Sequence, residues 1–217
     1  MTEKNIQWGN MRRLTPVSRV FGLDRGMPID RFYIEAFLQN HTKDIQGVVL
    51  EIEEPVYTRK FGSDRVSQSH VLHAEIDNPS ATVVGDLVTG EGLLKDTFDC
   101  MILTQTLLVI YDIQSAIANC YHALKPGGVL LVTFPGISQI SRYDMDRWGD
   151  YWRFTDASAQ RLFGDVFGRD RVTVETYGNV LTACAFLQGL AAHELKQSEL
   201  NYRDPDYQLL ITVRAIK

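Results

Sequence analysis

The chain has 217 residues, 45% of them hydrophobic and 23% charged, with a formal net charge of −5. That balance excludes disorder over most of the length, and 16 Gly with 7 Pro and no repeat exclude a fibrous protein. The length suits one domain (1–217) whose apolar supply builds a core without disulfide or metal staples. Three scattered cysteines, Cys100, Cys120 and Cys184, lack CxxC spacing and point to neither a disulfide framework nor a metal site. No apolar run approaches the roughly 18 residues of a membrane span, and the N-terminus lacks the apolar stretch of a signal peptide. The expectation is a cytoplasmic protein with no membrane partner. Charge is uneven: residues 1–31 hold six Lys or Arg against three acids, +3, which leaves −8 for the rest. The acidic body counts against a nucleic-acid partner. The basic arm is either solvated or a contact for an anionic substrate group.

Residues 1–27 show no clean period and read as an arm. Pro28 opens a helical pattern over Ile29 to Asn40, where its missing N–H costs nothing; together, residues 1–40 form an N-terminal arm and helical cap. The core is expected over 47–217. Gly47 to Ile52 is a buried strand ending in acids. Ser69 to His73, Ala81 to Leu87, Phe98 to Thr104 and Val129 to Phe134 follow as strands two to five. Ile113 to Leu124 is an amphipathic helix broken by Lys125-Pro126-Gly127-Gly128. Thr155 is the expected N-cap of a helix over Asp156 to Val166. Arg171 to Tyr177 is a strand, Leu181 to Leu195 a helix, and Gln208 to Ala215 the last strand. The central runs are continuously apolar, as in parallel strands covered on both faces. The pattern predicts an α/β protein with a Rossmann-like, doubly wound, seven-stranded, mostly parallel sheet, helices on both faces and an N-terminal helical cap.

In such a sheet ligands sit beyond the carboxyl ends of the strands. Leu124-Lys125-Pro126-Gly127-Gly128 before the fifth strand, a first strand ending in Glu51, an acid after the second, Gly85-Asp86-Leu87 after the third and Phe98-Asp99 opening the fourth together resemble class I S-adenosylmethionine-dependent methyltransferases. The segments Asp24 to Tyr33 and Trp148 to Thr155 look like a bacterial small-molecule subgroup often associated with natural-product or polysaccharide assembly. Each motif alone is also a turn, a cap or a strand-end charge; their order and spacing carry the resemblance.

The resemblance implies S-adenosylmethionine as cofactor and assigns roles. Glu51 helps hold the amino-acid end. Glu75, or Asp77, accepts from the ribose hydroxyls, a task that suits an acceptor-only carboxylate. Asp86 accepts from the adenine amine, with the Leu87 N–H beside it. Gln105 and Thr106 lie where cofactor and substrate meet, and Tyr33 closes over the cofactor. One departure is large. The family's acid-x-Gly-x-Gly loop has Glu53 and Pro55 at its glycine positions and Tyr57 at the next. Glycine there admits close backbone approach. Glu53 either pairs with the cofactor's ammonium or sulfonium or obstructs its carboxylate.

Trp148 to Phe154 is aromatic at four of seven positions. Trp148, Tyr151 and Trp152 either wall a substrate pocket or fold the loop onto the core. Arg147 and Arg153 either bind an anionic substrate group or pair with Asp146 and Asp150. Tyr111 and Asp112, just after the fourth strand, are the expected catalytic helpers. The function implied is methyl transfer to an oxygen or nitrogen of a natural-product or sugar-like small-molecule acceptor. The altered first loop keeps a second reading open, a catalytically degenerate methyltransferase-like binding or assembly protein.

Overall fold

The computed structural model describes residues 9–74 and 78–217. Helix α1 (Ile29–Asn40) follows the arm behind Pro28, and its buried Ile29, Tyr33, Ile34, Phe37 and Leu38 recur at the spacing of one helical face. Strands β1 (Gly47–Ile52), β2 (Val66–His73), β3 (Val83–Val84), β4 (Phe98–Thr104), β5 (Leu124–Pro135), β6 (Val172–Tyr177) and β7 (Leu210–Ile216) form one sheet in the order β3-β2-β1-β4-β5-β7-β6. The first five pair in parallel, and β7 runs antiparallel to both β5 and β6. Helices α2 (Ile113–Ala123), α3 (Arg142–Met145), α4 (Asp156–Phe167), α5 (Val180–Leu187) and α6 (Gln197–Asn201) complete the order.

The side chains of successive strand residues point to opposite faces, so each central strand feeds two cores. Leu50, Met101, Leu103, Leu130 and Val132 pack with α2 and α4 on one face. Val49, Cys100, Ile102 and Leu131 pack with α1 and α5 on the other. Both faces are therefore covered, which is why the strands read as unbroken apolar runs. Thr155 caps α4 as expected, accepting from Ser158 N in a capping box. Among the described residues no helix is long and apolar enough to cross a membrane, and no group of three or more metal-ligating side chains assembles.

Four expectations need correction. The β1–β2 crossover is a π-helical turn (Thr58–Gly62) and a 3-10 turn (Ser63–Arg65) rather than a full helix; Ser63, at φ +52°, ends the helical run. Strand β3 has two residues, because Gly85-Asp86 turns away, with Asp86 N donating to Glu91 O at 3.0 Å and Gly90 N to Asp86 O at 2.8 Å. Strand β5 starts earlier, at Leu124, and the Lys125-Pro126-Gly127-Gly128 segment bulges from it: Phe98 pairs Leu124, and Cys100 already pairs Val129. The helix expected to reach Leu195 ends at Leu187. Gly189 at φ +71° turns the chain, and Leu190 N donates to Ala185 O at 3.0 Å. That early end releases residues 188–194 to hold the arm.

Phe134, fully buried at the end of β5, stacks on Phe154 at 4.5 Å and lies 5.8 Å from Phe163. It ties the segment after β5 back to the sheet. Phe134→Ala is expected to destabilise the fold by about 3–5 kcal/mol, as read from urea unfolding; a change under about 1 kcal/mol would contradict this role.

Candidate functional site

A cavity of about 820 Å³ opens beyond the carboxyl ends of β1, β4 and β5, where the parallel strands point. Its floor is the loop after β1 (Glu51 to Glu54, Val56, Tyr57), the loop after β4 (Thr104, Gln105) and Pro135. The first turns of α1 supply Asp30, Arg31 and Glu35. The arm, through Arg19 to Phe21 and Leu23, and the segment 138–153 form the remaining walls.

Glu51 fixes the floor. It is buried, and its Oε1 accepts from Tyr57 N at 2.9 Å while Oε2 accepts from Thr58 N at 2.7 Å. Burial raises its carboxyl pKa, and these two N–H donors oppose the rise. The loop between them is forced into a tight path, and Glu53 sits at φ +69° with its N–H donating to Leu72 O at 3.1 Å and its carbonyl accepting from Asn78 Nδ2 at 2.8 Å. Just beyond the neighbouring strand β4, Gln105 sits at φ +51°, its N–H held by Thr133 O at 3.0 Å. The Gln105 Nε2 donor is buried with no partner among the described residues. Of the five non-glycine residues with positive φ among those described, Phe21, Glu53 and Gln105 line this cavity. Such conformations cost of order 1–3 kcal/mol and collect at functional sites.

The arm is docked, not loose. Val17 N and Ser18 N donate to Gln188 O at 2.8 and 3.1 Å, Ala192 N donates to Met27 O at 2.8 Å, and Pro28 pairs with Ala191 in an isolated bridge. Arg25 reaches both oxygens of Glu194 at 2.5 and 3.0 Å, and Gln139 Nε2 donates to Arg19 O at 2.8 Å. Gly22, at φ +84°, is required: a Cβ there would stand 2.9 Å from Leu190 O.

The cavity brings together four of the residues expected from sequence, Glu51, Glu53, Gln105 and Arg153. Arg153 is bound to Asp150 through both carboxylate oxygens, at 2.5 and 3.0 Å, which is the pairing alternative. The others stand elsewhere. Tyr33 is not a cover for the cavity; it is buried in the core, its hydroxyl donating to Leu200 O at 2.9 Å. Asp86 is exposed, and its Oδ1 accepts from Val88 N at 2.5 Å, holding its own turn, while Leu87 is in the core. Asp112 caps α2, accepting from Ser115 N at 3.1 Å and Ser115 Oγ at 2.7 Å, and Tyr111 beside it is exposed; neither lines the cavity. Thr106 Oγ1 donates to Thr104 O at 3.2 Å. Arg147 lies over the Tyr143 ring at 3.7 Å. Trp148 packs edge-on to Tyr143, Tyr151 edge-on to Tyr111, and Trp152 stacks on Tyr111 with its Nε1 donating to Ile110 O at 3.0 Å. Glu75 and Asp77 lie outside the described residues.

Sequence reasoning missed Asp30, Arg31 and Tyr57 as cavity residues. Burial pushes the Asp30 carboxyl up to about 6, against the pull of the Arg31 N–H and charge. Tyr57, pushed up to about 12 by burial, feels Arg31, Glu35, Asp30 and Glu51 as its charged neighbours.

A sheet ordered 3-2-1-4-5-7-6 with its last strand antiparallel and a cavity over β1, β4 and β5 is decisive for the fold. This is the fold of the class I S-adenosylmethionine-dependent methyltransferases. The resemblance read from the sequence is borne out. Residues 65–132 match the family model described as a methyltransferase domain, a stretch that begins beyond the loop carrying Glu53 and Pro55. A methyltransferase from Archaeoglobus fulgidus superposes with TM-score 0.58 at 12% identity, covering 86% of this chain and 94% of that one. Phosphoethanolamine N-methyltransferase 2 of Haemonchus contortus, solved with S-adenosyl-L-methionine, gives 0.53 at 13%, covering 91% and 60%. The plantazolicin methyltransferase BamL gives 0.54 at 10%, covering 93% and 89%. Comparison with curated proteins found no match. These findings support S-adenosylmethionine-dependent methyl transfer.

The cavity residues fit that cofactor. An orphaned buried donor, Gln105 Nε2, faces a need for an acceptor. The left-handed turn at position 53 is kept without its glycine. Carboxylates on the floor suit a ligand carrying an ammonium and a sulfonium.

Two outcomes follow from this geometry. Glu51→Gln turns one acceptor oxygen into a donor facing an amide N–H, and is expected to cost about 1–3 kcal/mol in chemical denaturation; an unchanged midpoint would show that the loop is not held this way. For Asp30, a folded pKa of about 6 against an ordinary 3.8 means the native state holds the extra proton between those values. Stability from this group therefore falls as pH rises through that window. Asp30→Asn is expected to flatten that part of the melting-temperature profile and to raise stability at pH 7; parallel profiles would contradict it.

Proposed function

We propose that the chain transfers a methyl group from S-adenosylmethionine to an oxygen or nitrogen of a small-molecule acceptor of the natural-product or sugar-like kind. The observation that carries the reading is the cavity beyond β1, β4 and β5, with Gln105 Nε2 unpaired in its floor. When bound, S-adenosylmethionine supplies an electrophilic methyl group on a positively charged sulfur. Everything else falls to this chain. Glu51 holds the loop path, and Gln105 Nε2 donates to the ligand. The docked arm and the segment 138–153 exclude water and fix orientation, from which most of the acceleration comes. Asp30 has one carboxylate oxygen engaged by Arg31 N; its Oδ2 takes the proton that the acceptor hydroxyl or amine loses, a task that suits a pKa near neutrality. The exposed Tyr143 in the cavity wall offers apolar ring surface to an acceptor. An assignment of adenine contact to Asp86 requires that its carboxylate leave its own turn or share its free oxygen.

The degenerate scaffold reading is favoured by one feature, the loop after β1, where glycine is absent at positions 53, 55 and 57. Titration calorimetry separates the two. Micromolar binding of S-adenosylmethionine or S-adenosylhomocysteine is the expected result, with Gln105→Leu weakening it about tenfold, the worth of one hydrogen bond to a charged group. Absence of binding to the unaltered chain would favour the scaffold.

A further inference from the structure

Resting on the cofactor reading above, we propose that Glu53 is the specificity residue for the cofactor's amino-acid end: its carboxylate receives the ammonium group, doing with a side chain what the family's glycine loop does by backbone approach. Three observations lead there. First, Glu53 holds φ +69° in the cavity lining, a conformation glycine would adopt without strain. A residue that keeps a strained backbone where the least strained choice is absent points to a use for its side chain.

Second, the loop's own backbone has little left to give. Pro55 carries no N–H, and the amides of Tyr57 and Thr58 are consumed by Glu51. Recognition of a zwitterion here therefore falls to side chains. Third, two of the nearby carboxylates are committed elsewhere: Glu51 to the loop amides and Glu35 to Lys60 at 2.7 Å. The Glu53 carboxylate, like that of Glu54 beside it, makes no hydrogen bond or ion pair among the described residues. Across the cavity floor, just past the end of the adjacent strand β4, Gln105 Nε2 is a donor without an acceptor among the described residues. An acceptor-only group and an unpaired donor at the ends of neighbouring strands match an ammonium and a carboxylate on one carbon.

The probes are S-adenosylhomocysteine and 5′-methylthioadenosine, which lacks the amino-acid end, titrated calorimetrically into the unaltered chain, Glu53→Gly, Glu53→Gln and Glu54→Gln. Glu53→Gly restores the family residue and relieves the strain, so its urea midpoint should rise. Its affinity for S-adenosylhomocysteine should nevertheless fall about tenfold, as for loss of one charge-assisted contact, while that for 5′-methylthioadenosine stays the same. Glu53→Gln should lose the same selectivity, and Glu54→Gln should keep it. Equal or tighter binding of S-adenosylhomocysteine by Glu53→Gly, or a loss in Glu54→Gln instead, overturns the assignment while leaving the cofactor reading in place. Failure of the unaltered chain to bind S-adenosylhomocysteine and S-adenosylmethionine overturns both.

Discussion

Glu51 leaves the sheet at the end of β1 as a buried carboxylate, and two backbone amides of the following loop close onto it. A charge taken out of water must be met by donors, and the only way for Tyr57 and Thr58 to supply them is for the intervening residues to double back. That path sets Glu53 in the left-handed region, buries Pro55 and turns Tyr57 inward against the cavity. The site's floor is thus a consequence of satisfying one carboxylate.

The walls obey a second constraint. The arm, the early end of α5 and the segment after β5 are mutually dependent, since Gln188 accepts from the arm, Gln139 donates to it, and Phe154 is held under Phe134. The sheet supplies a rigid platform; the ligand-facing surface is assembled from pieces distant in sequence. Phe21, Glu53 and Gln105 come from three such pieces, and each keeps a backbone conformation that most residues avoid. Strain gathered in one cavity, balanced by a well-packed two-faced core, is how a fold carries a site.

What could be read in advance follows from how local each signal is. Strands β1 and β4 and the helices α1 and α4 announce themselves through apolar runs, Pro28 and the Thr155 cap, and their bounds match closely. The capping role of Asp112 had a local signal too, with Ser115 three residues on and an apolar face beginning at Ile113. Asp86 likewise carries its own turn in the residues after it. Asp30 and Arg31 offered no such signal. They reach the cavity only because α1 packs across the sheet, and a change in the protonation of Asp30 comes from burial, which no spacing encodes.

The central claim is that S-adenosylmethionine occupies the cavity beyond β1, β4 and β5 with its amino-acid end on side chains rather than on loop amides. A crystal structure of the chain soaked with S-adenosylhomocysteine tests it most directly. The account predicts the ligand's ammonium at the Glu53 carboxylate and its carboxylate at Gln105 Nε2, with Glu51 still bound to the Tyr57 and Thr58 amides. A ligand whose carboxylate displaces Glu51 from those amides, or one seated outside this cavity, would contradict it.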